Sequence, residues 1–337
     1  MKKLKHLTVV DLGGGINVID LGASGGVQPE WRTIAKWINV IGFDPNAAEC
    51  TRLNGLSTGY HSAKFFPYAL AGETGKRDLY KTKSIFCWSL LKPRLEWLSR
   101  FTYSDLFQPA GTESLWVYRL DEISELMGVD VDAMKVDTQG LELPILRASM
   151  PAVESSICIS TETGMTQNYE GETTFDQILA FMDSQGFGLF GIDTNHAIAR
   201  KNSLSSISQN EQILWCEAVW MRDYYRASCE QQKTLTREKA LRALCLYANH
   251  GCLSFGLEAA ALFRDLGLIT GAEYDVMATD NSWWQLQSRG TTLRIATRSI
   301  LNYVPRKILG GFRRRLHSFE ALVDNIRTTP HPLRRKS

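Results

Sequence analysis

Apolar runs of strand length, each closed by a polar residue or a glycine, recur through the first two-thirds of the chain. They are "INVID" (16–20), "INVIGFD" (38–44), "AKFFPYAL" (63–70), "LWVYRLDE" (115–122), "DAMKVDTQG" (132–140), "SSICISTETG" (155–164), "FGLFGID" (187–193) and "ILWCEAVWMR" (213–222). Helical patterns lie between several of them. In "VQPEWRTIAKW" and at the residue just after it, Trp31, Ile34, Ala35 and Ile38 recur at helical spacing, and "GLELPILRAS" follows the run around Asp137. "TTFDQILAFMDSQG" (173–186) opens on threonine and stops at Gly186. Strand alternating with helix predicts an α/β fold whose mainly parallel sheet is covered on both faces. The stretch "TNHAIARKNSLSSISQNEQ" between the last two strands has no helical period, so those strands are expected to pair antiparallel at one edge. The prediction is a Rossmann-like, seven-stranded, mostly parallel sheet with one antiparallel edge strand.

After Arg222 the pattern changes. "TREKALRALCLYANHG" and "SFGLEAAALFRDLGLITG" read as two amphipathic helices broken at Gly251, and 291–327 carries a further apolar stripe interrupted by Pro305 and Gly310-Gly311. The chain is therefore divided into an α/β domain over 1–225, a helical C-terminal extension over 230–328 and a disordered basic tail over 329–337.

Within "VVDLGGGINVIDLGASGG" (9–26) one phrase occurs twice: apolar run, Asp, Leu, glycines. A βαβ unit needs about a dozen residues for its crossover. The first copy runs straight into another strand, so its glycines are read as a turn. The second is followed by a helical pattern and then by the strand ending at Asp44, which makes it the ligand loop. The dinucleotide pattern G-x-G-x-x-G fails here, because Ser24 and Val27 stand at its second and third glycine positions. Asp44 ends the next strand, where an acidic residue accepts hydrogen bonds from ribose hydroxyls. Asp20 beside the loop repels phosphate and welcomes a cationic group. A ligand with a ribose, an ammonium and a sulfonium but no phosphate, S-adenosylmethionine, fits that set. The alternative is a Rossmann-fold nucleotide-binding protein without methyltransferase activity, of nicotinamide type or with a vestigial site.

Composition adds limits. The chain has 337 residues, 44% hydrophobic and 22% charged, ordinary values for a globular protein. Its seven cysteines form no C-x-x-C pair, which speaks for reduced thiols in a cytoplasmic setting. The apolar run after the basic start is too short for a signal-peptide core, and no stretch has the length of a membrane span. The net charge of +2 conceals a basic 291–337 region, which includes Arg313-Arg314-Arg315. That region is read as a packing or dimer element, or as a peripheral contact with the inner face of an anionic membrane. Nucleic acid is not an expected partner, since the cleft is acidic.

The chain also resembles a family, the FkbM-type methyltransferases. The resemblance covers about 16–222 and rests on "VIDLGASGG", "VIGFDPNAAECTRL", "YALAGETGKRDLYKTKSIFCWSLLKP", "YRLDE", "MKVDTQGLELPILR" and "ETGMTQNYEGETTF". It departs from the commoner pattern in reading A-S-G-G where A-N-x-G is usual. It implies a class I methyltransferase fold and S-adenosylmethionine-dependent O-methylation of a hydroxyl, with a sugar in a glycan, glycolipid or glycosylated natural product as acceptor. In that reading Asp20, Gly22, Ala23, Ser24, Gly25 and Gly26 receive the methionine end of the cofactor, with backbone amides exposed to its carboxylate. Asp44, with Pro45 and Asn46 behind it, takes the ribose, and Ala69 and Leu70 lie by the adenine. Methyl transfer needs donor and acceptor aligned and a proton removed. Asp137, Glu162 and His196 are the three candidate bases, all at the carboxyl edge of the sheet, and Glu142 is placed to cap or orient Asp137. Asp137 is alternatively the N-cap of the helix after it. Asp137 and Glu162 also offer two ligands to a divalent cation, but no third is evident, and no metal site is assigned. Trp88, Trp97, Phe101 and Tyr169 are read as aromatics over the acceptor, or as core beneath a long loop.

Overall fold

A computed structural model describes residues 3–26, 29–56, 59–193, 196–201, 210–228 and 232–286. The strands, in chain order, are β1 Ile16–Leu21, β2 Ile38–Phe43, β3 Ser62–Phe66, β4 Ala69–Leu70, β5 Gly75–Thr82, β6 Pro109–Tyr118, β7 Ala133–Val136, β8 Cys158–Gly164, β9 Phe187–Asp193, β10 Ala197–Ala199, β11 Asn210–Ile213 and β12 Trp215–Arg222. Seven of them build the main sheet in the order β3-β2-β1-β7-β8-β12-β9. β1, β2, β3, β7 and β8 pair in parallel, whereas β12 runs antiparallel to both neighbours.

The sheet is thus seven-stranded with one reversed strand, but that strand is not the outermost. β12 inserts between β8 and β9, and β9 forms the edge. The described part of the return from β9 holds the short strands β10 and β11, and five of the eight residues of β12 are buried, in keeping with its inner position. Strand order reverses between β1 and β7, which opens a crevice at their carboxyl ends.

Alternation along the strands assigns each face. Ile16, Val18, Val40, Ala133, Cys158 and Met221 pack with residues of the helices Arg237–Asn249 and Leu253–Asp265. Ile19, Leu21, Met134, Val136, Ile159 and Trp220 pack with residues of the helices Glu142–Ala148 and Phe175–Ser184. Each fully buried aliphatic side chain contributes about 1.5–3 kcal/mol, so these two layers dominate the stability.

Several expectations change. The run 63–70 breaks at Pro67 into β3 and β4, because proline cannot donate to a ladder. β4 joins β6 and the unforeseen β5 in a separate three-stranded sheet. The segment after the glycine loop is a 3-10 helix, Pro29–Trp37, rather than an α-helix. A third C-terminal helix, Gly271–Thr279, has a Thr270–Glu273 capping box that the periodicity did not expose.

The boundary expected between 225 and 230 is not a break in the core. Helix Arg237–Asn249 is buried almost all round, and Lys239 and Arg242 pair with Asp132, at 2.8 and 3.2 Å, where the chain enters β7. The compact unit ends at Leu286. The basic region 291–337, including the tail 329–337, lies outside the described residues. No helix among the described residues is long and apolar enough to cross a membrane.

Candidate active site

The site begins with a contact that only glycine permits. Gly22 follows β1 at φ +82°, and a Cβ there would lie 1.8 Å from the carbonyl oxygen of Asp137. The two loops that flank the crevice, one after β1 and one after β7, therefore touch through their backbones. The first copy of the repeated phrase forms a turn, as expected.

The loop amides are all engaged. Gly22 and Ala23 donate to the carbonyl of Phe43, and Gly26 to that of Ala23. Ser24 donates to Asp44 Oδ2 at 2.9 Å and Gly25 to Glu49 Oε1 at 3.0 Å. Ala23 is fully buried, so its side chain belongs to the core. Donors expected to face a ligand carboxylate are instead held within the chain, one of them by the carboxylate of Glu49. Asp44 also accepts from the Asn46 amide at 2.8 Å, and Asn46, not Asp44, caps the helix Ala47–Asn54. Burial pushes the Asp44 carboxyl above its ordinary value, and these amide donors work the other way.

Gly22, Pro45, Ala69, Leu70, Trp88 and Asp137 line a cleft of about 70 Å³. Of the aromatics placed over the acceptor, Trp88 alone is at this cleft. Phe101 and Tyr169 are buried, and Trp97 packs edge-on against Phe101 at 5.1 Å.

A buried lysine ties the two loops together, and sequence reasoning missed it. Lys135 Nζ lies 3.2 Å from Asp137 Oδ2 and 3.5 Å from Asp20 Oδ1, and donates to the Gly22 carbonyl at 3.1 Å. Burial opposes its charge, but Asp137, Asp20 and Glu162 outweigh burial and hold it above the usual lysine value. Asp20 is 1% exposed, accepts no hydrogen bond and is pushed up to about 6 by burial, against the pull of Lys135. The available signal was a lysine inside an apolar strand, two positions before an aspartate and so on the same face.

Asp137 is not a helix cap; the helix after it begins at Glu142. Glu142 instead ties the connecting turn, accepting through Oε1 from the amides of Thr138 and Gly140 at 3.0 Å each. Burial raises its carboxyl to about 8.

Gln139 was also missed. It sits at φ +56°, a backbone region sparsely used by residues other than glycine. Its Nε2 donates to Asp137 Oδ1 at 2.9 Å and to Glu162 Oε1 at 3.1 Å, while its Oε1 accepts from the Tyr169 hydroxyl at 2.9 Å. One amide thus fixes two of the three candidate bases. Burial, then the Asp137 charge, drives the Glu162 carboxyl well above its ordinary range. His196, just before β10, places Nε2 4.0 Å from Glu217 Oε1, and Glu217 faces Glu162 across the sheet.

A family model for the methyltransferase FkbM domain matches residues 22–189. Through this domain the chain belongs to the FkbM methyltransferase family. The match opens at Gly22 and takes in Asp44, Asp137, Gln139 and Glu162; His196 and Glu217 fall beyond it. No curated protein matches the chain. Among solved structures, this FkbM methyltransferase is similar to magnesium protoporphyrin IX methyltransferase of Synechocystis PCC 6803, at 9% identity over 64% of this chain and 74% of that one, with a TM-score of 0.33. It is also similar to a TehB-like SAM-dependent methyltransferase of Corynebacterium glutamicum, at 12% identity over 64% and 85%, with a TM-score of 0.29. Overlaps this loose leave the family match and the site geometry to carry the assignment.

Proposed function

We propose that this chain transfers a methyl group from S-adenosylmethionine to a hydroxyl oxygen, with a sugar as the acceptor class. The observation that carries the reading is the contact of Gly22 with Asp137: the loop after β1 and the backbone of the loop after β7 meet at the point where strand order reverses, and Asp137 lines the cleft there. A ligand there has Asp44 for its ribose, Ala69 and Leu70 for its base, and Asp20 with Lys135 beneath its amino-acid end. The methyl group would then face Asp137.

Of the three candidate bases, Asp137 is the one that lines the cleft, and it takes the role of proton acceptor. The acceptor oxygen loses its proton to Asp137 and forms a bond to the methyl carbon. The carbon–sulfur bond breaks with its electron pair left on sulfur, giving an ether and S-adenosylhomocysteine. Aligning the two reactants is the protein's larger contribution. Phe86 lies 3.3 Å from where a Gly25 Cβ would stand, so its ring rests against the glycine loop.

Calorimetry separates this reading from nicotinamide binding. S-adenosylhomocysteine is expected to bind and NAD to give no heat; the reverse pattern would discard the reading.

A further inference from the structure

The polar face of the sheet ends in a group of carboxylates that methyl transfer through Asp137 leaves unused. Glu162 on β8 and Glu217 on β12 stand directly opposite each other in the antiparallel register, and Asp193 on β9 stands opposite Glu217 in turn. Residues opposed in this way share a face, and like charges so placed destabilise a sheet. Lys135, a buried cation on this face, is committed to Asp20, Asp137 and the Gly22 carbonyl. His196 closes over the pair, and one donor atom from each of Glu162, His196 and Glu217 lies within 4.8 Å of the others.

A second feature points the same way. Ser160 precedes Glu162 by two positions on the same face, is 7% exposed, and its Oγ has no hydrogen-bond partner. Ser160, Lys135, Glu162 and Glu217 line a cavity of about 20 Å³. That is room for one water or one ion. A buried hydroxyl left unpaired carries a penalty that a ligand or a ligand-bound water removes.

We propose that Glu162, His196 and Glu217 hold a divalent cation beside Asp137, with a water ligand seated on Ser160. One imidazole and two carboxylates on one side of an ion leave further positions open. The mixture suits a metal between the oxygen-loving and nitrogen-loving extremes, Mn²⁺ foremost. The existence of the site is independent of the methyl-transfer reading, but its role rests on that reading. An acceptor hydroxyl bound to the ion loses its proton to Asp137 more readily, and vicinal hydroxyls of a sugar could fill two open positions together. Glu162 and His196 then act as ligands, and Asp137 remains the proton acceptor.

The test uses Mn²⁺ alone, followed by loss of the free-ion resonance signal on titration into the full chain. Saturable binding of one ion per chain is expected, weakened by about tenfold or more in His196→Ala and in Glu217→Gln. Ser160→Ala is expected to weaken it less. S-adenosylhomocysteine binding, measured on the same samples, reports that each variant is folded. Absence of saturable Mn²⁺ binding by the wild-type chain, or variants that bind Mn²⁺ as the wild type does, would overturn the proposal. Nucleoside binding without Mn²⁺ binding sinks the metal site and leaves the methyl-transfer reading intact; Mn²⁺ binding without nucleoside binding does the opposite.

Discussion

Lys135 and Asp137, two positions apart at the end of β7, form a 3.2 Å ion pair whose lysine also holds the carbonyl of Gly22. Replacing Lys135 with methionine keeps the side chain's bulk and removes its charge. Asp20, buried and without another described partner, and Asp137 are then uncompensated. Breaking a buried pair in this way costs about 3–5 kcal/mol. Urea denaturation of Lys135→Met is expected to show that loss, and an unchanged midpoint would remove the lysine from the account of the site.

Asp137→Asn is expected to keep affinity for S-adenosylhomocysteine while turnover falls by about 10²–10⁴, the range for loss of a general base. Single-turnover transfer of a labelled methyl group measures it. Undiminished turnover would reject Asp137 as proton acceptor.

Gly22→Ala puts a Cβ 1.8 Å from a backbone oxygen at φ +82°. The loops after β1 and β7 must part, so nucleoside affinity is expected to fall along with stability. Gly14 provides the control: it too has positive φ, at +108°, but no atom lies within 4 Å of where its Cβ would stand. Gly14→Ala is expected to leave nucleoside affinity unchanged. Equal affinity losses in the two variants would show that the loop contact is not the cause.

Much of this is legible in the sequence alone. The glycine loop, the strand ending at Asp44 and the carboxylates at Asp137 and Glu162 are local patterns, and local patterns fix which sheet edge they occupy. What stayed hidden depends on pairing between distant strands. Lys135 is a polar interruption until β1 and β7 align Asp20 beside it. Glu217 reads as one charge in an apolar strand until β12 turns it toward Glu162. Gln139 needs its positive φ to reach both carboxylates. The amphipathic reading of 237–249 failed for a related reason: Lys239 and Arg242 are polar yet buried, neutralised by aspartates more than a hundred residues earlier.

His250 offers a pH test away from the site. It packs edge-on against Trp31 at 5.6 Å, with Nε2 3.7 Å from Cys158 Sγ, and burial lowers it to about 4. Between about 4 and the unfolded value near 6.5 the unfolded chain binds the extra proton, so stability rises with pH across that window. Acidification from neutral pH is expected to destabilise the fold by at most about 1.4 kcal/mol per pH unit through this group. His250→Phe should flatten that part of the curve in pH-dependent urea melts; an unaltered slope would assign the acid sensitivity elsewhere.

The most direct measurement is a crystal structure of the chain with S-adenosylhomocysteine. The expected result is a nucleoside in the crevice between the loops after β1 and β7, its ribose hydroxyls on Asp44, its base against Ala69 and Leu70 and its sulfur facing Asp137. A nucleoside bound away from Asp44 and Gly22, or none at saturating concentration, would contradict the assignment.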